Sequence, residues 1–413
     1  MMRGGHLVRA DRRFATGDGL LARLSAPAFA AVLDRIDRRL VCGGIEVEVP
    51  GGATRCLGFR EPGPRGEVHI RSWRSLARLA TSGSVGWYKA WANHEWSSPD
   101  PVALFEVFSA NATALGDTGR AKGPFRWVNR IAHAARDNAP RKARKNIAAH
   151  YDLGNDFYAA WLDETMTYSS ARFVGGDTLE DAQNRKIALL LDRLNLKPGQ
   201  RLLEIGCGWG SLAIAAAERG AEVVGLTLST EQKALAERRI AAAGLTERIE
   251  IRLEDYRDTN GAFDAIASVE MVEAVGMRWW GAYLDAIVRN LKPGGRAALQ
   301  FISIQHNLFD RYRRNPDFIQ AYIFPGGLLL DEPRCAALAV ERGLSWQDRE
   351  GFAADYAETL RQWRARYDAA VERGDLAGFE PAFHELWRYY LMYCEGGFRG
   401  GAIDVAQTTL VKN

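Results

Sequence analysis

The sequence predicts an α/β fold built on an open, mostly parallel sheet, preceded by a smaller α+β domain. Three observations carry this. The apolar run 201–205 reads as a buried parallel strand and the small-residue segment 211–218 as the helix after it. Between them the chain turns through alternate glycines, since residues 202–210 read Leu-Leu-Glu-Ile-Gly-Cys-Gly-Trp-Gly. Strand-like runs then recur at 221–226, 249–253, 263–269 and 296–304, interleaved with helical segments, which is the rhythm of a doubly wound sheet.

Each part of the first unit has a physical reading. Gly206, Gly208 and Gly210 remove side chains that would hold a ligand off the backbone, and they permit positive φ in a tight turn. Glu204 stands at the carboxyl end of the strand, where ligands bind in open α/β sheets. Cys207 lies inside the loop, where packing explains it better than nucleophilic chemistry. A tight turn with no ligand accounts for three glycines equally well. The second strand, however, runs into Thr227-Leu228-Ser229-Thr230-Glu231-Gln232, without the acid that closes on a ribose in dinucleotide sites. The glycine spacing is also too short for that pattern. Both points favour a smaller nucleoside such as S-adenosylmethionine over NAD or FAD.

At 413 residues the chain has room for two domains, and 47% hydrophobic with 25% charged residues marks it as globular. No apolar stretch reaches the roughly 20 residues of a membrane helix. Residues 1–13 are basic with no apolar segment after them, so no secretory signal is expected. The five cysteines are scattered, odd in number and lack metal-ligand spacing, which suits a reducing cytoplasm and predicts no metal site. Net charge is +3, yet residues 120–145 carry nine basic residues against Asp137 alone. Phe125, Trp127, Val128 and Ile131 are interleaved there, a pattern suited to an anionic membrane surface. A solvated linker helix or a nucleic-acid contact would satisfy it too.

The remaining elements follow in order. A helix is expected within 21–40, short strands at 45–49, 55–59 and 67–70, and helices at 76–91 and 102–115. Residues 1–120 thus form the small α+β domain, 121–149 a basic aromatic linker, and 150–413 the main domain. Residues 150–173 are too polar and aromatic for simple core and precede the glycine loop as a lid would. Helices are expected at 179–194, 283–291, 356–373 and 379–393, and an edge strand at 402–411. The aromatic segment 312–325 suits either the wall of an apolar pocket or side chains docked on the core.

Taken together, the motifs resemble the cyclopropane-fatty-acyl-phospholipid synthase and mycolic acid methyltransferase family. They are 151–157, Tyr168-Ser169, 202–210, 227–232, Asp255-Tyr256-Arg257-Asp258, 322–327, and Tyr389-Tyr390-Leu391 through Cys394 to Arg399. The resemblance implies a Rossmann-like S-adenosylmethionine-dependent methyltransferase domain, with a more loosely similar lipid-facing domain before it. By that similarity Tyr168, Ser169, Glu204, Gly206, Gly208 and Gly210 surround the methionine part of the cofactor, with Cys207 in the same loop. Thr227 and Gln232 reach the ribose, and Asp255 and Tyr256 hold adenine.

The implied chemistry delivers a methyl group to a carbon–carbon double bond, after which a base removes a proton. In the family that base is a bicarbonate held by a cysteine, a glutamate, a histidine and a tyrosine. The glutamate falls on Glu273 and the tyrosine on Tyr356, but the cysteine position is Ser170 and the histidine position Gln300. Ala274 stands where many relatives carry a histidine, and Glu270 where they often carry glycine. Ser170 and Gln300 can donate hydrogen bonds to an anion, whereas an added carboxylate at Glu270 would repel bicarbonate. Glu270 and Glu273, three apart, would share a helical face and take over the base role together. A solvent-facing Glu270 is the plain alternative. Cys394 matches a cysteine often marked as active in the family, although a buried structural thiol fits as well.

The expected protein is a cytoplasmic enzyme peripherally bound to a phospholipid membrane that methylates unsaturated acyl chains, with ring closure as the family default and no nucleic-acid partner. A methyl-branched or furan-precursor product, a soluble small-molecule substrate, and a non-catalytic lipid-binding relative are the alternatives. A homodimer is left open.

Overall fold

The structure is a computed structural model, and it describes residues 3–8, 26–116 and 153–413. The basic stretch 120–145 and the residues His150, Tyr151 and Asp152 lie outside the described residues. The chain divides into two compact units, each assembled from segments distant in sequence. One comprises 1–136, 305–325 and 377–403, and the other 137–304, 326–376 and 404–413. A consecutive division at 120–150 therefore differs from the structure, because 305–325 and 377–403 cluster with the N-terminal segment.

The first unit holds a four-stranded sheet of β1 (Cys42–Glu48), β2 (Thr54–Gly58), β3 (Glu61–Ile70) and β4 (Trp96–Ser97), in the order β2-β1-β3-β4. Its helix Pro101–Ala110 begins with proline in the first turn and is capped by Asp100, whose carboxylate accepts from the Ala103 N–H at 3.1 Å. The helix Pro381–Arg399 packs against it. Glycine permits the close approach: a Cβ on Gly396 would stand 2.5 Å from Phe105 Cβ. The aromatic segment predicted near 312–325 docks inside this unit, where Tyr88 meets Tyr322, Phe318 and Tyr389 with ring centroids 4.7, 4.8 and 5.0 Å apart.

The second unit is a seven-stranded sheet of β5 (Arg201–Ile205), β6 (Glu222–Thr227), β7 (Ile249–Leu253), β8 (Phe263–Val269), β9 (Leu291–Ile304), β10 (Leu344–Gly351) and β11 (Ile403–Lys412). Their order is β10-β11-β9-β8-β5-β6-β7, with β5 through β9 paired in parallel. The order reverses between β5 and β8, so their carboxyl ends flank the switch point at which such sheets bind ligands.

Several expectations are corrected. The C-terminal strand is not at the edge, because β10, which carries too few apolar residues to read as a strand, pairs antiparallel outside it. The strand expected at 296–304 begins already at Leu291, and its pairing with β8 shifts register between Phe263 and Ala265. The helix expected at 283–291 spans Trp280–Asn290. The strand expected at 67–70 starts at Glu61, the helix expected at 102–115 is two, Pro101–Ala110 and Ala112–Leu115, and the helix expected at 379–393 runs on to Arg399; the other elements fall close to their expected positions.

Candidate active site

The glycine loop has the geometry its sequence demands. Gly206, Gly208 and Gly210 all have positive φ, at 84°, 52° and 88°. A Cβ on Gly206 would stand 2.6 Å from Met271 Sδ, so the turn after β5 presses on the end of β8 with no room for a side chain. Glu204 is buried; the Ala213 N–H donates to its carboxylate, and its Oε2 has no partner among the described residues. Burial pushes this carboxyl up to about 8, with Lys186 opposing. A cationic amine at that oxygen would satisfy it, and the bare loop beside it admits a backbone-hugging ligand. Both observations fit S-adenosylmethionine.

The flanking residues make a compact shell. The Thr227 hydroxyl donates to Gln232 Oε1 at 2.9 Å, and both residues are buried at the end of β6. Ser229 caps the helix Thr230–Ala242 through the Gln232 N–H. Asp255 is clasped by Arg257, with Nε and a terminal nitrogen at 2.8 and 2.6 Å. The Tyr256 ring packs edge-on against Tyr283, and its buried hydroxyl has no partner among the described residues. Tyr168 sits among Tyr158, Trp161 and Trp363 at 5.4, 5.6 and 5.2 Å. Cys207 is core: its Sγ lies near Gly208 O and burial raises its thiol well above the usual range, so it is no nucleophile.

Beside this shell stands a buried carboxylate site. Glu270 accepts from the Ser170 N–H and from Gln300 Nε2 at Oε1, both at 2.9 Å, and from the Tyr356 hydroxyl at Oε2, at 2.8 Å. Its own N–H donates to Gln300 O at 2.7 Å. Glu270 therefore does not face solvent. Burial raises its proton affinity above the ordinary carboxylate range, a rise that the three donors and Lys186 oppose but do not cancel. Glu273, also buried, accepts from the Ile302 N–H through one oxygen, while Oε2 has no partner among the described residues. Burial, then the charge of Glu270, pushes Glu273 up to about 8.

Two expectations fail in detail. Glu270 and Glu273 do not share a helical face, because Glu270 has φ 51° and the helix begins only at Val272. A left-handed turn after β8 carries Glu270, whose carboxylate is bonded by Ser170, Gln300 and Tyr356 and whose charge acts on Glu273. Such a turn costs a non-glycine residue about 1 kcal/mol, which the four hydrogen bonds offset. Ser170 contributes its peptide N–H and not its hydroxyl, which donates to Ala171 O at 3.0 Å. Cys394 lies in the first unit, on the helix Pro381–Arg399, and burial raises its thiol far above the reactive range.

Lys186 escaped the sequence reading. It is 1% exposed, and its Nζ donates to Ser169 Oγ at 2.7 Å while Gln183 donates to Ser169 O at 2.9 Å. Burial lowers its ammonium to about 8, opposed by the carboxylates of Glu270, Asp163 and Glu204. The signal was present: Gln183 and Lys186 sit on the stripe Leu179, Ala182, Leu190, Leu194 that the helix Leu179–Leu194 buries.

The chain is similar to known proteins over most of its length. Residues 138–408 match the family model described as mycolic acid cyclopropane synthetase. The tuberculostearic acid methyltransferase of Mycobacterium tuberculosis is 41% identical over 410 residues, covering 94% of this chain and 92% of its own. The cyclopropane-fatty-acyl-phospholipid synthase of Escherichia coli is 35% identical over 346 residues, 83% of this chain and 86% of its own. A solved mycolic acid cyclopropane synthase in complex with SAH and CTAB superposes with TM-score 0.61 at 32% identity, covering 65% of this chain and 98% of that one. Its cofactor is S-adenosylmethionine, and the chain belongs to the mycolic acid cyclopropane synthetase family of S-adenosylmethionine-dependent methyltransferases.

Proposed function

We propose that this enzyme alkylates the double bond of unsaturated acyl chains in phospholipids, with Glu270 collecting the displaced proton where the family is expected to use bicarbonate. When bound, S-adenosylmethionine supplies an electrophilic methyl group. An alkene is a weak nucleophile, so the residues present must contribute positioning and a dry, preorganised field. Glu204, the glycine loop, Ser169 and Tyr168 hold the donor; Thr227, Gln232, Asp255 and Tyr256 hold its nucleoside. Tyr168 and Trp363, packed together beside Tyr356, would favour a carbocation formed on the acyl chain near them.

The observation that carries the reading is the Glu270 carboxylate, held by Ser170, Gln300 and Tyr356 at the positions assigned to the anion anchors. A tethered carboxylate is at high effective concentration and needs no dissolved anion. Glu273 remains protonated beside it and adds no second negative charge. The match to a protein named a methyltransferase, not a ring-forming synthase, favours a methyl-branched or methylene product over a cyclopropane. The basic residues of 120–145 support an anionic lipid surface as the place of work, which salt-weakened sedimentation with anionic vesicles tests.

Mass spectrometry of lipids from cells expressing the protein on methyl-deuterated methionine tests the reaction. Two retained deuterons indicate ring closure or a methylene branch, and three an intact methyl. Unlabelled lipids, with the purified protein consuming no methyl donor on membrane extracts, contradict the proposal.

A further inference from the structure

Gln300 presents its amide nitrogen to Glu270, and beyond the acceptors Glu270 and Ser170 O that polarity is also held from outside the site already described. An amide side chain has nearly the same shape in either flip, and the hydrogen-bond network decides which end faces which neighbour. Rotated by a half-turn, Gln300 would set a carbonyl oxygen against the Glu270 carboxylate. Gln300 is 1% exposed and its neighbour Gln407 0% exposed, so bulk water cannot correct a wrong orientation.

The polarity can be traced outward. Gln300 Oε1 accepts from Gln407 Nε2 at 3.1 Å, and the same nitrogen reaches the Lys186 carbonyl oxygen at 3.4 Å. Gln407 Oε1 in turn accepts from Arg193 Nε at 3.2 Å. A guanidinium only donates, so the oxygen of Gln407 must face Arg193 and its nitrogen must face Gln300. Arg193 is itself fixed by the Asp348 carbonyl at 2.6 Å and by Glu350 at 3.0 Å. Gln300 Nε2 is then directed at two acceptors, Glu270 Oε1 at 2.9 Å and Ser170 O at 3.3 Å.

We infer that Gln407 is a positioning residue for the methyl transfer: it transmits a fixed donor polarity from Arg193 to Gln300, and so keeps an N–H on the proton-accepting Glu270. The inference rests on the reading of Glu270 as the base. The groups facing Glu270 are Lys186 from the helix Leu179–Leu194, Tyr356 from the helix Ala353–Arg373, and Glu273 from its own segment. Asp163 and Glu204 share Lys186 with it. None of them is replaced in the variants that follow.

Gln407→Glu tests it. The new carboxylate still accepts from Arg193 but offers Gln300 no donor, so Gln300 turns its nitrogen outward and its oxygen toward Glu270. Glu270 then ionises less readily. The expected result is a kcat about tenfold lower, a KM unchanged, and the acid limb of the kcat–pH profile moved toward higher pH by about one unit. Gln407→Leu moves the limb in the same direction, and in a Gln300→Met background it moves nothing further. Cofactor binding by calorimetry and thermal melting verify that the variants fold. If they do not, Arg193→Met reads the same limb from the outer end of the chain. A lower kcat with an unmoved limb, or additive losses in the double variant, overturns the inference. Glu270→Gln run in parallel separates the failures: if that variant methylates like the parent, it is the reading of the base that has failed.

Discussion

Glu270 is where residue identity changes the chemistry. Its φ of 51° belongs to the region that glycine enters freely, and the four hydrogen bonds to its backbone and carboxylate hold a side chain there. Glu270, Gln300 and Tyr356 were singled out in the sequence through the family resemblance, and the structure brings them together. Their arrangement was not, because it depends on a backbone turn and on amide orientation, which no spacing rule encodes. Ser170 shows the same limit: it was expected to act through its hydroxyl and acts through its peptide N–H. Tyr356→Phe removes one donor from the Glu270 carboxyl, which the proposed mechanism needs ionised. Hydrogen bonds to charged groups contribute roughly 1.5–3 kcal/mol, so a kcat about 10- to 100-fold lower is expected, with the acid limb of its pH profile raised. Steady-state kinetics on the variant checks this; parental kcat and an unmoved limb would remove Tyr356 from the site.

At the scale of elements, the strand–loop–helix from Arg201 to Glu218 was the most legible part of the chain, since its apolar run, glycines and small-residue helix all point one way. β10 was the least legible, because an exposed edge strand with five polar residues among eight lacks the apolar period. Missing it made β11 look like an edge. The loop also yields a sharp prediction. Gly206→Ala places a Cβ 2.5 Å from Met271 Cγ at a φ of 84°, so Met271 must shift next to Glu270. Titration calorimetry should show cofactor affinity at least about tenfold weaker, since close approach of backbone to ligand is what the glycine provides. Unchanged affinity would show that the cofactor does not use this turn.

For the whole molecule, the division into two units could not be read from sequence order, because 305–325 and 377–403 join the N-terminal segment through tertiary contacts, among them Tyr88 with Phe318 and Tyr389 and the Ser109 hydroxyl with Gly397 O. Burial of the active-site carboxyls has a global consequence. Glu204 and Glu273 bind protons up to about pH 8 when folded, against 4.5 ordinarily. The native state thus holds protons that the unfolded chain releases, so the stability they confer is lost as pH rises from about 4.5 to about 8. One such proton contributes a slope of at most about 1.4 kcal/mol per pH unit. Lys186, lowered to about 8, acts in the opposite sense and only above that window. Glu273→Gln keeps the neutral shape and cannot titrate, so urea unfolding of the ligand-free variant at successive pH values should give a shallower decline than the parent. Equal slopes would show that Glu273 is already ionised in the fold.

If Glu270 stands where a dissolved anion would otherwise serve, anion dependence measures this directly. Methyl transfer is to be assayed in carbonate-free buffer and again with added bicarbonate, for the parent and for Glu270→Gly, which relieves the left-handed turn while emptying the carboxylate position. The expected result is a parent indifferent to bicarbonate and a variant that is inactive without it and regains activity with it. A parent that loses activity when bicarbonate is removed would contradict the account.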